Sequence, residues 1–263
     1  MAELLVQSTH WQLLLTALAF VALAGGEALF PLRAERRPRA RRWFVNAALF
    51  LIGFGLVLLA SPLILKGAAW LQGALHFPPL AGLGLPAWLL IVVSFLLIDL
   101  LAYLSHALFH GAPWLWRLHR THHSDTTMDA STGVRHHPAE ALLSAGLQLT
   151  VFAVLGVPLL VVLAYGLINN LWQFVTHAEV RLPESIERAL RLVVVTPGMH
   201  RVHHSVRVDE GNSNFGMVLS IWDRLFGTYR RRPAAERASM ALGVEGSDGA
   251  PHLTALLADP LRP

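Results

Sequence analysis

The sequence predicts an all-α integral membrane protein, a helical bundle of about four spans with a histidine-rich cap. Two observations predict the bundle. Of 263 residues, 54% are hydrophobic and only 14% charged, where soluble domains carry about 25% charged residues. The apolar residues also fall in runs long enough to cross a bilayer as helices. A third observation predicts the cap. There are fourteen histidines, and nine of them recur at tight, helix-like spacings between or just after those runs.

The elements follow in order. The first apolar run, "WQLLLTALAFVALAGGEALFPL", covers 11 to 32. No basic region precedes it, so it reads as a span and not as a cleavable leader. The basic block "RAERRPRARR" follows at 33 to 42, then a second run, "WFVNAALFLIGFGLVLLASPLIL", at 43 to 65. A Gly/Pro-rich loop is expected from 66 to 86, and a third span, "AWLLIVVSFLLIDLLAYL", from 87 to 104. The stretch 141 to 176 is apolar but broken by "GVP" at 156 to 158, which makes it a hairpin of two helices. "PESIERALRLVVV", 183 to 195, reads as a short helix lying at the membrane surface. The whole chain, 1 to 263, reads as one membrane-embedded domain. Residues 1 to 90 form two long N-terminal helices and a loop, 91 to 230 the histidine core, and 231 to 263 a loosely ordered tail.

Charge orients the bundle. The isoelectric point is near 10.3, and Lys66 is the only lysine. The arginines flank apolar spans, so their expected partner is a membrane surface and not nucleic acid. Positive-inside reasoning puts 33 to 42 in the cytoplasm. Counting spans from there brings every clustered histidine to the cytoplasmic face. An arginine-rich, lysine-poor composition suits a bacterial inner membrane. Cysteine is absent, which excludes disulfides, thiolate metal sites and cysteine nucleophiles.

"HALFH" puts His106 and His110 four apart, one helical turn on one face. "HRTHH" supplies His119, His122 and His123, and "HRVHH" repeats the phrase with His200, His203 and His204. "QFVTH" adds His177, with Gln173 one turn before it, where a tenth histidine could stand. Neutral imidazole is the commonest metal ligand. Nine are too many for one ion, and two ions with four or five ligands each fit the count while leaving open positions. Each repeated phrase could then serve both ions. For Asp99, two helical turns before His106, a supporting role is expected as acceptor for a ligand histidine's N–H, the alternative being a buried hydrogen bond to another helix. His136 lies between the clusters. Asn169 and Asn170 either bind ligand or water near the site or stitch helices together. Asp223 either orients a histidine or pairs with an arginine. Glu27 reads as a residue near a span end, snorkelling or paired with an arginine.

The motifs "DLLAYLSHALFH", "HRTHHSD", "RHHPAE", "TPGMHRVHHS" and "NFGMVLSIWDRLFGTY" resemble the fatty acid hydroxylase/sterol desaturase superfamily of integral-membrane di-iron oxygenases. The resemblance covers roughly 95 to 230; residues 1 to 90 match only as generic spans. It implies two iron ions, with zinc able to replace them in recombinant material, held by His106, His110, His119, His122, His123, His177, His200, His203 and His204. It places His137 near the metals without ligating them. It also implies O2 as co-substrate, hydroxylation or desaturation of an unactivated C–H bond in a lipid, and electrons from a separate ferredoxin- or cytochrome-type protein. Sterol-like, fatty acyl, ether and carotenoid lipids all fit. Two departures stand out: Ala107 occupies a position that is often arginine, and Gln173 one that is histidine in some relatives. Two other classes remain open on the residues alone. One is a zinc-dependent membrane hydrolase using Asp99 as base; the other is a metal transporter or sensor, which would need polar residues along its spans.

Overall fold

A computed structural model describes residues 2 to 33, 39 to 76, 78 to 247 and 252 to 262. Its long helices are α1 (Ala2–Leu29), α2 (Ala40–Leu75), α3 (Ala87–Gly111), α4 (Pro113–His123), α5 (Pro138–Leu155) and α6 (Leu159–His177). Short helices follow: α7 (Glu184–Leu190), α8 (Pro197–His203), α9 (Val208–Gly211), α10 (Ile221–Leu225), α11 (Ala234–Arg237) and α12 (Leu253–Ala258). No strand occurs among the described residues, only isolated bridges such as Pro31 with Val180.

Four helices, α2, α3, α5 and α6, are long and apolar enough to cross a membrane. In α1 the described apolar stretch, Leu14–Leu29, is shorter. α2 differs from expectation: it has 36 residues and continues through Lys66 to Leu75, so the predicted loop starts about ten residues later. At about 1.5 Å per residue it is about 54 Å long, well beyond a bilayer's hydrocarbon thickness. Lysine, alanine and leucine from Lys66 onward favour the helix, and Gly67 and Gly73 are too weak as breakers to stop it.

The hairpin turns where "GVP" predicts. Gly156 takes φ 62°, the left-handed conformation that ends a helix, and Pro158 cannot extend α5. A side chain at 156 would also collide with Pro79 of the α2–α3 connection, its Cβ 2.4 Å from that ring. α5 and α6 each start with proline near their first turn and run away from and back to the histidine end. α7 ends at Leu190, shorter than the 183 to 195 segment, and Leu192 and Val193 follow it exposed.

The histidine end is tied together by buried polar bonds. Arg42 at the start of α2 pairs with Asp125 at 3.2 Å and also with Asp129. Arg135 spans Thr121 O, Asn46 Oδ1 and Ser124 Oγ at 2.8–3.0 Å. Glu27 accepts from the backbone N–H groups of Ala130 and Glu179 and pairs with Arg39. Several arginines of the basic block therefore face inward, onto the cap. Such groups lose hydration on burial, so every one of their bonds must be made within the protein.

The tail is not loose where it is described. Met240 and Leu242 pack on Met128, and Leu256 packs on Val45 and Leu49 of α2. Arg120 and Arg201, from the two repeated phrases, hold it: Arg120 pairs with Asp259 at 2.8 Å, and Arg201 Nε donates to the Arg237 carbonyl at 2.7 Å. An alanine- and proline-rich composition conceals this, because the docking contacts are few and far apart in sequence.

Candidate metal centre

The site grows from helix ends. α3 ends with His106 and His110, α4 carries His119, His122 and His123, and α6 ends with His177; α8 carries His200 and His203, with His204 capping it. At about 100° per residue, positions one and five of H-x-x-H-H share a face, and position four points to its side. The repeat therefore splits. His119, His123, His106, His110 and His203 form one group, and His122, His177, His200 and His204 the other, each with ligand atoms within 4.8 Å of one another. The first copy gives two histidines to the first group and one to the second; the second copy does the reverse. The rings of His123 and His204 stack at 4.4 Å, so the two groups adjoin.

The ring nitrogens test whether cations fit. His106 Nδ1 faces the Phe215 carbonyl at 2.8 Å, His203 Nδ1 that of Ser213 at 2.7 Å, and His177 Nδ1 that of Gln173 at 2.7 Å. His119 Nδ1 lies 2.7 Å from Glu140 Oε1, and His110 Nδ1 lies 3.2 Å from Asn212 Oδ1. Those acceptors can only take a proton, so they assign Nδ1–H and leave Nε2 as a bare lone pair. In the second group the Nε2 atoms of His122, His200 and His204 each lie 2.9–3.2 Å from His177 Nε2. The His177 Nε2 lone pair can accept from only one of the three, so the other close nitrogens have no proton between them and it, and a shared cation accounts for all three distances. Two nitrogens at right angles about 2.1 Å from an ion are about 3.0 Å apart, which is the spacing found. In the first group the buried Nε2 atoms of His110, His123 and His203 have no hydrogen-bond partner. Burial first, and neighbouring histidines second, push the pKa values of His122, His123, His200, His203 and His204 well below the ordinary imidazole value. Neutral rings are the ligating form. The donor set fits two cations that favour nitrogen.

The supporting residues divide. His136 stacks on His122 with ring centroids 4.5 Å apart, and its Nδ1 meets Glu140 Oε1 at 3.0 Å. Burial opposes its protonation, but Glu140 outweighs that and raises its pKa. Glu140 is the residue that motif reading left without a role. It orients His119 and His136 together from the third position of α5, and its place in "HHPAE", just inside a proline-started helix, was the available signal. Gln173 keeps its side chain 3.6 Å from Met217 Sδ, while its backbone carbonyl orients His177. Asp223 does orient a histidine, indirectly. It accepts from Phe215 N at 2.7 Å, Gly216 N at 3.0 Å and Thr228 Oγ1 at 2.7 Å, and so fixes the turn whose carbonyl holds His106. Gly216 is required there, since a Cβ would lie 2.8 Å from the Asp223 carboxylate.

One expectation is corrected. Asp99 touches no ligand histidine: it accepts from Tyr165 Oη at 2.7 Å, Trp222 Nε1 at 2.8 Å and the backbone of Val218 and Leu219. It joins α3, α6 and the 217–222 segment. The spacing argument placed it on the correct helix but could not reveal Tyr165 and Trp222 competing for it. His137 lies outside both histidine groups. Its Nδ1 caps α5 by accepting from Ala139 N, and Nε2 faces the Leu257 carbonyl at 3.2 Å.

A cavity of about 280 Å³ runs from His106, His119, His122 and His200 past Glu140 into the spans. Phe50 and Phe54 of α2 form its apolar wall; Asn169, Asn170 and Gln173 of α6 lie along another. A larger hollow, about 520 Å³, lies by Arg201 and Arg237 beyond α8, and none of the nine histidines lines it.

Fold and site together define a class: a membrane helical bundle whose histidine-bearing helix ends surround room for two cations, with a cavity leading to them. The family model for fatty acid hydroxylase matches residues 91–228, and the chain belongs to that family. Similar proteins include an ornithine lipid hydroxylase, OlsE, from Rhizobium tropici, 33% identical over 59% of this chain and 46% of its own length. An alkylglycerol monooxygenase from Homo sapiens is 32% identical over 57% of this chain and 32% of its own length. A cholesterol 25-hydroxylase from Rattus norvegicus is 28% identical over 56% of this chain and 49% of its own length. The chain thus spans half or less of the length of these relatives. No solved structure matches it.

Proposed function

We propose that this protein is an O2-dependent, di-iron membrane oxygenase that hydroxylates an unactivated C–H bond of a lipid. The observation that carries the reading is the set of neutral imidazole lone pairs, grouped five and four, with His106, His119, His122 and His200 opening on a cavity among the spans. Relatives named hydroxylases and monooxygenases favour hydroxylation over desaturation. Two irons held by the nine histidines would supply the oxidation, with electrons from a separate ferredoxin- or cytochrome-type protein.

The chain's own residues do the rest. Phe50 and Phe54 line a path for an alkyl chain, excluding water from the place where an oxidising centre would otherwise react with it. Glu140 and the carbonyls of Phe215, Ser213 and Gln173 hold the histidine N–H groups, so the imidazoles keep one tautomer and one orientation. The hydrolase alternative loses its base, because the four donors to Asp99 leave it no role at an open metal position. The active site lies on the cytoplasmic side by the charge argument, in a bacterial inner membrane by composition.

Lipid mass spectrometry of cells expressing wild type or His122→Ala tests the reading. A lipid that gains one oxygen only with wild type is expected, together with two irons per purified chain. Iron-loaded protein with no O2-dependent lipid product would sink it.

A further inference from the structure

Four polar residues of the cavity lining are not explained by oxidation. On α5, Ser144 and Gln148 follow Glu140 at four-residue steps; on α6, Asn169 and Asn170 precede Gln173 and His177. Ser144, Gln148, Asn169 and Asn170 all line the cavity. They lie at the depth of helices that can cross a membrane, where an unpaired polar group costs about 1–3 kcal/mol or more. Yet Ser144, Gln148, Asn169 and Asn170 show no side-chain hydrogen-bond partner among the described residues, and Asn169 Oδ1 is buried without one. They do not stitch helices: none bonds to another helix, and the α2 residues that line the same cavity, Leu49, Phe50 and Phe54 among them, have no polar side chain. Intramembrane polar residues that pair with nothing in the protein, and that face one cavity, point to a ligand.

Resting on the reading of this centre as a lipid oxygenase, we propose that Ser144, Gln148, Asn169 and Asn170 form a recognition belt for a polar group carried within the substrate lipid. Its place follows from helix geometry. Gln148 is eight residues from Glu140, and Asn169 eight from His177, so the outer belt lies ~12 Å from the histidine end, with Ser144 at ~6 Å. Its chemistry follows from the donors and acceptors. The orphaned Asn169 Oδ1 needs a donor, and the carboxamide N–H groups of Asn169, Asn170 and Gln148 are available to an acceptor. A hydroxyl or a secondary amide supplies both. An ester or ether supplies no donor and leaves Asn169 Oδ1 unpaired. The substrate class is therefore a lipid bearing a hydroxyl or secondary amide about two helical turns from the carbon presented to the histidines, its alkyl segment lying against Phe50 and Phe54.

The test measures binding, on the protein as purified in detergent, without reductant so that no turnover occurs. Probes of equal chain length carry a hydroxyl, a secondary amide, a methyl ester or a methyl ether at the same carbon, and affinity is read by ligand-induced thermal shift across a concentration series. The hydroxyl and amide probes are expected to bind about tenfold tighter than the ester and ether, which corresponds to about 1.4 kcal/mol. Asn169→Leu should abolish that preference. Gln148→Met, close in volume and kinder to the fold, should reduce it several-fold, and both variants should bind metal in the wild-type amount. Whether hydroxyl or amide binds tighter names the native group. Equal affinity for all four probes, or a preference unchanged in both variants, overturns the belt. These outcomes are independent of turnover: an inactive iron-loaded protein that still prefers the hydroxyl or amide keeps the belt and rejects the oxygenase, and an active enzyme blind to the probes does the reverse.

Discussion

The membrane half and the histidine cap of this protein are built on opposite plans. In the spans the apolar residues look outward: Leu59 is 80% and Leu63 76% exposed. In the cap the polar residues look inward, and Arg135, Asp125, Asp129 and seven of the nine histidines are almost wholly buried. The difference is one of solvent. Lipid accepts leucine side chains as readily as a protein core does, so a span gains little by burying them. The cap has water as its alternative, and its buried charges persist only because each brings its partners. A single helix follows both plans: α3 exposes Leu96 and Leu104 yet buries Asp99 and His106. The sites that matter to chemistry are therefore those where a polar side chain is buried and either fully bonded, as Arg135 is, or left with a free lone pair, as the histidines are.

Substitutions can break this contrast, starting where the effect is greatest. Arg42→Met removes the cation from Asp125 and Asp129 and should cost about 3–5 kcal/mol. Unfolding by denaturing detergent in mixed micelles would reveal it, and a loss below 1 kcal/mol would mean the cap is wetter than its burial suggests. Glu140→Gln leaves His119 and His136 without their carboxylate and should weaken metal binding about 10–100-fold in chelator competition, with a smaller effect on folding. Asp99→Leu should lower stability by about 1–3 kcal/mol while metal content stays at the wild-type level; a lost metal would restore Asp99 to the centre. Leu59→Ala, on the lipid face, should change stability in bilayers by less than about 0.5 kcal/mol. A larger effect would identify Leu59 as a contact with another copy or partner.

Legibility followed the same divide. Apolar runs marked α2, α3, α5 and α6 because length and hydropathy alone select for a bilayer. The nine histidines were legible because ligand spacing on a helix is local. Spacing alone could not choose between the two roles of Asp99, because its partners, Tyr165 and Trp222, come from 66 and 123 residues away. The tail was misread because its anchors, Arg120 and Arg201, sit inside the very phrases that suggested metal binding. Glu140 was present in a quoted motif, but a carboxylate next to two histidines is ordinary until a third one, His119, is brought to it.

By itself the sequence determined how many apolar helices could form, where they break, and which side chains could offer lone pairs, since each of these depends on neighbours within a few turns. Only the tertiary structure decided which five histidines join which four, which backbone carbonyls take their protons, and that Ser144, Gln148, Asn169 and Asn170 share one cavity. Those are relations between segments distant in the chain. They are set by how α3, α5, α6 and α8 pack, and packing depends on the shape and chemistry of both surfaces that meet.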